Sequence, residues 1–166
     1  MEPVFTELTE DDLPAVKEIY DYYILNSTAT FHTTNISLDE LKESVFIHHP
    51  KYKSYLINES DKICGYCYLT QYKKRQAYDR TAEITIYLKS GYQGKGTGLK
   101  AIDYLESDAI KNGIKVLIAI ICGDNTPSIR LFEKAGFEKC AHFKKVGEKF
   151  GKILDVMAFQ KIIDDE

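Results

Sequence analysis

Three features of this 166-residue chain combine residue type and spacing in a way that could support chemistry. They are the glycine-rich stretch Tyr92-Gln93-Gly94-Lys95-Gly96-Thr97-Gly98, the pair Cys64-x-x-Cys67, and the carboxylate of Glu83 within an alternating apolar run. Glycines let a backbone approach a ligand closely. A loop of this kind leading into a helix aims N–H groups and the positive end of the helix dipole at an anion such as a pyrophosphate. Two nucleotide-binding patterns fit it poorly. In G-x-x-x-x-G-K followed by Ser or Thr, starting from Gly91, Gly96-Thr97 stands where Gly-Lys is required. The pattern G-x-G-x-x-G/A is met formally by Gly96, Gly98 and Ala101, yet it calls for a second α/β half, and this chain ends in a predicted β-hairpin. A tight turn without a ligand is the plain structural alternative.

Cys64 and Cys67 have the spacing of a redox motif or half a zinc site. The run Ile63 to Leu69 reads as a strand, however, and alternation in a strand sends positions i and i+3 to opposite faces. One metal would not reach both, so the four cysteines at 64, 67, 122 and 140 are expected to be packing residues of a reducing compartment. The histidines at 32, 48, 49 and 142 show no metal-ligand spacing with carboxylates; no metal is assigned, and His48-His49 is expected to cap a helix end.

These residues need a scaffold. After a strand at Val4 to Glu7, the apolar positions Leu13, Val16, Ile19, Tyr20, Tyr23 and Ile24 form one helical stripe, which Thr9 or Asp11 can cap. Ser37-x-x-Glu40 is a capping box for a second helix, closed by Pro50. Between the two helices lies a threonine-rich loop, Asn26 to Ile36, with Phe31 in its middle. Strands at Ser54 to Asn58, Ile63 to Tyr72 and Ala82 to Leu88 form an antiparallel meander. In the last of these, Ile84, Ile86 and Leu88 share one face, and Glu83, Thr85 and Tyr87 the other. A helix follows the glycine loop and stops at Gly113; Val116 to Ile121, uniformly apolar, reads as a central strand buried on both faces. Asp124-Asn125-Thr126-Pro127 opens another helix, with Asn125 as a capping residue, and Gly136 ends it. Strands at Phe137 to Val146 and Ile153 to Gln160, joined through Gly147 to Gly151, complete the order β-α-α-β-β-β-α-β-α-β-β. This is a mixed α/β sheet covered by helices.

Composition narrows the class. With 44% apolar and 28% charged residues, the chain reads as one globular domain over 1–166 with no need of disulfide or metal staples. A net charge of -3 removes the electrostatic case for a dedicated nucleic-acid-binding protein. The longest wholly apolar run, Val116 to Cys122, falls far short of the ~20 residues that span a bilayer, and the acidic start is no signal peptide. No membrane partner is expected, and a cytoplasmic location is.

Gln93-Gly94-Lys95-Gly96-Thr97-Gly98 resembles the Q/R-x-x-G-x-G/A acetyl-CoA loop of the GNAT superfamily of N-acetyltransferases, and the element order is similar to that fold along nearly the whole chain. The stretches Arg75 to Glu83 and Asn125 to Phe137, with Gly147-x-x-Phe150-Gly151 and Asp155-Val156, resemble the phosphinothricin acetyltransferase-like branch. Members of that branch acetylate the amino group of phosphinothricin, methionine sulfoximine or methionine sulfone. The resemblance implies acetyl-CoA as co-substrate, its pyrophosphate on Gln93 to Gly98 and its pantetheine along Ile86, Tyr87 and Leu88, where two strands splay apart. It also implies a cofactor contact from Asn125 besides its capping role, Glu83 as general base, and an oxyanion donor in the N–H of Tyr87 or Leu88. On the acceptor side it points to Phe31 and Thr85 around a small amine or amino-acid analogue, and to a homodimer; Arg75 could grip an acceptor carboxylate bidentately and Tyr78 add a hydrogen bond, with a solvated arginine and a packed strand tyrosine as the plain alternatives. Many relatives carry a tyrosine or histidine near position 132 to protonate the thiolate; this chain has Phe132, and no general acid is named. A polyamine, an antibiotic amine or a protein N-terminus remains an alternative acceptor, and a silent acyl-CoA-binding domain an alternative role.

Overall fold

The structure, a computed structural model, describes residues 2–165. Seven strands form one sheet in the order β1-β2-β3-β4-β5-β7-β6. They are β1 (Val4–Glu7), β2 (Ser54–Glu59), β3 (Lys62–Gln71), β4 (Thr81–Leu88), β5 (Val116–Cys122), β6 (Glu138–Lys149) and β7 (Lys152–Ile162). Helices α1 (Leu13–Asn26) and α2 (Leu38–Ser44) cover one face, α3 (Thr97–Lys111) and α4 (Thr126–Lys134) the other. Among the described residues no helix is long and apolar enough to cross a membrane.

Each face encloses its own core. Leu13, Val16, Ile19 and Ile24 of α1 pack with Leu41, Leu56 and Tyr66. Ala101, Ile102, Leu105 and Ala109 of α3 pack with Cys67, Leu69, Ile84, Leu117 and Phe159. Burial of such side chains contributes roughly 1.5–3 kcal/mol each, and it fixes which face of β4 looks where. Ile84 and Leu88 lie in the α3 core, which leaves Glu83, Thr85 and Tyr87 to the α1 face.

Five expectations are corrected. First, α2 ends at Ser44, well before Pro50, because Val45 turns extended (φ -114°, ψ 109°) to bury its side chain at 1% exposure. Second, His48-His49 therefore caps no helix: His48 is left-handed at φ 53°, and His49 Nδ1 accepts the N–H groups of Lys51 and Tyr52 in a turn. Third, Cys64 and Cys67 face the same core. Ile57 pairs with Gly65 but Asn58 with Ile63, so Cys64 is the extra residue of a β-bulge, which reverses the alternation. Both thiols are fully buried, and burial raises their pKa, that of Cys64 to about 11. Fourth, β5 is not buried on both faces: Ile120 is 45% exposed and looks into a cleft. Fifth, β6 runs on through Gly147 to Lys149, so that only Phe150-Gly151 turn the final hairpin.

Candidate active site

The site is created where two strands part. β4 and β5 are parallel neighbours, yet their pairing covers only Thr81↔Val116, Ala82↔Leu117 and Glu83↔Ile118. Beyond Glu83 they diverge. Lys115 and Val116 donate to Arg80 O, and Lys89 N–H donates to Cys64 O on the opposite edge. Alternation along β4 then turns the backbone groups of Glu83, Thr85 and Tyr87 toward β3, and those of Ile84, Ile86 and Leu88 into the gap. Of the two residues expected to offer an oxyanion donor, Leu88 has the N–H on the gap side and Tyr87 does not.

The far end of the gap is the glycine loop. Gly91, Gly94 and Gly96 hold left-handed φ values of 91°, 76° and 87°, a conformation that side chains with a Cβ disfavour. Gly96 is the N-cap of α3, and no side chain caps that terminus. Gln93 braces the loop: its Oε1 accepts Gly91 N–H at 3.1 Å, while its Nε2 donates to Tyr23 Oη at 3.1 Å and Leu88 O at 3.4 Å. Lys95 reaches over the Tyr92 ring, 5.5 Å from its centroid. Thr97 and Gly98 serve the scaffold with their side-chain positions: Thr97 is 3% exposed and donates to Glu59 Oε1, and a Cβ on Gly98 would lie 2.8 Å from Leu131 Cδ2 of α4. Asn125 caps α4, its Oδ1 accepting Ser128 N–H at 3.3 Å.

On the α1 side the gap opens into a cleft of about 340 Å³. Glu83, Thr85 and Tyr87 line it from β4, Ile120 and Cys122 from β5, and Ala29, Thr30 and Phe31 from the loop after α1. Glu83 thus stands at the last β4–β5 pair, where the sheet opens. Burial raises its carboxyl above the usual range, and Lys73 offsets part of that rise. Tyr20, Tyr66, Tyr68 and Tyr87 form an aromatic wall, with Tyr66 and Tyr87 5.4 Å apart and Tyr20 and Tyr87 5.6 Å apart. Burial raises all four phenols, so they are neutral hydroxyl groups at physiological pH. Tyr20 Oη bonds Thr30 Oγ1 at 2.6 Å, which ties the wall to the loop.

Sequence reasoning placed Glu83, Thr85 and Phe31 in one pocket, and the fold brings them together. Arg75 and Tyr78 lie elsewhere, at the exposed 3-10 turn between β3 and β4, where Tyr78 meets Tyr72 edge to face; neither lines the cleft. Phe132 is 5% exposed and packs against Phe137 in the α3 core. The tyrosine wall and Lys149, which donates to Ser27 O and Thr30 O, were not anticipated. Alternation of Tyr66 with Tyr68 could have signalled the wall; nothing local signals a buried lysine. Among the described residues no three His, Cys, Asp or Glu side chains gather as a metal set.

Known proteins are similar in sequence and fold. The family model described as an acetyltransferase (GNAT) domain matches residues 6–158. The phosphinothricin N-acetyltransferase of Alcaligenes faecalis is 32% identical over 155 residues, which cover 92% of this chain and 78% of that protein. The L-methionine sulfoximine/L-methionine sulfone acetyltransferase of Salmonella typhimurium is 28% identical, with 93% of this chain and 91% of the relative covered. A GNAT superfamily phosphinothricin acetyltransferase from Sinorhizobium meliloti, solved in complex with AcCoA, superposes with a TM-score of 0.92 at 29% identity, covering 99% of this chain and 90% of that one. Family model and relatives give one assignment: the chain belongs to the GNAT acetyltransferase family and is an N-acetyltransferase.

Proposed function

We propose that the chain moves the acetyl group of acetyl-CoA directly to the amino group of a small, amino-acid-like acceptor held in the Glu83 cleft. The observation that carries this reading is the end of β4–β5 pairing at Glu83↔Ile118. It joins, in one opening, a carboxylate on the cleft side, the backbone groups of Ile86 and the N–H of Leu88 turned into the gap, and a left-handed glycine loop beyond them, where the Leu88 carbonyl is held by Tyr23 and Gln93. These groups suit a chain-like ligand with amides in its middle and phosphates at its end, and Asn125, the N-cap of α4 three residues after the end of β5, is the further cofactor contact in this reading.

Acetyl-CoA supplies an activated acyl group; the chain supplies position and proton transfer. An acceptor amine is largely ammonium at pH 7, and Glu83, whose raised carboxyl lies nearer neutrality than an exposed one, takes its proton directly or through water. The Leu88 N–H, turned into the gap, serves the oxygen that gains charge. Phe31 and the tyrosine wall enclose the apolar part of the acceptor, and Thr85 and the tyrosine hydroxyls offer hydrogen bonds to its polar part. No step is drawn from Arg75 or Tyr78, which stand outside the lining. The names of the curated relatives support phosphinothricin, methionine sulfoximine and methionine sulfone as the acceptor type.

A panel of these three compounds, spermidine and an N-terminal peptide, assayed for thiol release from acetyl-CoA, tests the reading. Highest kcat/KM is expected for a free amino-acid analogue. Preference for spermidine or the peptide would overturn the acceptor assignment, and binding of acetyl-CoA without release on any amine would overturn the enzymatic one.

A further inference from the structure

The most unusual side chain near the cleft is a lysine inside the protein. Lys149, at the end of β6, is 4% exposed. Its ammonium donates to Ser27 O and Thr30 O, both at 2.7 Å, and sits 5.1 Å from the centroid of the Phe150 ring. Among the described residues no carboxylate forms an ion pair with it. Asp124, the acid that holds the same loop, takes the Thr28 hydroxyl at 2.6 Å and the Cys122 thiol at 3.2 Å instead. A buried charge without a counter-ion costs stability, and two neutral carbonyls compensate only part of that cost. A methyl-terminated side chain would fill the space without it.

Two consequences follow for the cleft. The carbonyls that Lys149 holds, those of Ser27 and Thr30, bracket Thr28 and Ala29, and Ala29 and Thr30 line the cleft beside Phe31. Phe31 in turn lies so close to Gly147 of the same strand that a Cβ there would fall 2.4 Å from its ring. The hairpin therefore fixes the wall of the acceptor pocket at two points. The lining itself contains the acid Glu83 and no lysine or arginine. Lys149, bonded to Thr30 O, is then a positive charge held against the 27–31 wall, while Lys73 acts on Glu83.

We propose that Lys149 determines acceptor specificity: it positions the 27–31 wall and lends the pocket the uncompensated positive charge that favours an acceptor bearing a carboxylate as well as an amine. This rests on the reading of the acceptor as amino-acid-like. Electrostatic attraction through a water-excluded wall is weakly screened, so it need not involve direct contact. Lys149 is here a positioning and specificity residue, and Glu83 keeps the proton transfer.

The test compares methionine sulfone with its decarboxylated counterpart, 3-(methylsulfonyl)propylamine, in wild type, Lys149→Gln and Lys149→Arg. Gln retains a donor for one carbonyl and loses the charge; Arg retains the charge. Wild type is expected to prefer methionine sulfone. In Lys149→Gln that preference should fall by about tenfold through the KM of methionine sulfone, with KM for acetyl-CoA unchanged, whereas Lys149→Arg should keep it. Equal losses on both acceptors in Lys149→Gln would reduce the lysine to a packing role and overturn the proposal while leaving the acceptor reading intact. A wild type that prefers the decarboxylated amine would overturn the acceptor reading itself, and this proposal with it. If Lys149→Gln does not fold, Lys149→Met, an uncharged side chain of similar length, decides: loss of the preference supports the role of charge, and a folded Met variant that keeps the preference overturns it.

Discussion

At the scale of single residues, Glu83 combines two properties that usually oppose each other. It is desolvated enough for its carboxyl to titrate high, and yet it lines an open cleft. A carboxyl with a raised folded-state pKa binds its proton more tightly in the native than in the unfolded chain. Its contribution to stability is therefore present at low pH and is lost as pH rises through the folded-state value. Glu83→Gln removes the ionised form altogether. The variant should lose about 10²- to 10⁴-fold in kcat at pH 7, recover part of it at higher pH as the acceptor arrives deprotonated, and bind acetyl-CoA normally. Its melting temperature at pH 8 should equal or exceed that of wild type. A near-normal kcat with a flat pH response would move the base elsewhere; a marked fall in melting temperature would make Glu83 a structural residue.

At the scale of elements, the sequence made the alternating and the capped segments legible, and failed where long-range register or an open cavity decides. The faces of β4 followed from Ile84, Ile86 and Leu88 alone, and the capping box at Ser37 and Glu40 formed as its residue types dictate. Cys64 was placed on the wrong face because the bulge arises from how β3 registers against β2, a feature that no local pattern carries. Ile120 reads as core in the sequence because a cleft strand of apolar side chains has the pattern of an interior one, and only the departure of the neighbouring strand opens it. The glycine loop was legible as an anion site, and its individual glycines now separate by role. A Cβ at Gly96 would meet nothing within 4 Å but would have to adopt φ 87°, so Gly96→Val should cost about 1–2 kcal/mol of stability and reshape the backbone of the α3 N-cap. Acetyl-CoA affinity should then fall beyond calorimetric detection, whereas Lys95→Ala, whose side chain rests on Tyr92, should weaken it only about two- to fivefold. Equal, small losses in both variants would remove the loop from the cofactor site.

At the scale of the whole molecule, the final hairpin stands out from the rest of the surface. Phe143, Val146, Phe150 and Ile153 are 52%, 59%, 58% and 58% exposed, all on β6, β7 and the turn between them. β6 is also an edge strand, with its outer backbone groups unpaired in the sheet. Large apolar side chains gathered on one hairpin would suit an association surface, and a second copy of the chain would satisfy both features through a self-complementary contact. The same hairpin carries Gly147 and Lys149, which hold the acceptor wall, so association and acceptor binding should be coupled through it. Light scattering at micromolar concentration is expected to give twice the chain mass. The double variant Phe143→Glu/Val146→Glu should halve it with the melting transition still cooperative, since both side chains already face solvent. In that monomer, KM for the acceptor should rise about three- to tenfold while acetyl-CoA affinity stays within twofold, because the glycine loop lies on the far side of the splay. A wild type that scatters as a monomer would rule out the association surface, and a monomeric variant with unchanged acceptor KM would show that Lys149 holds the 27–31 wall without a partner.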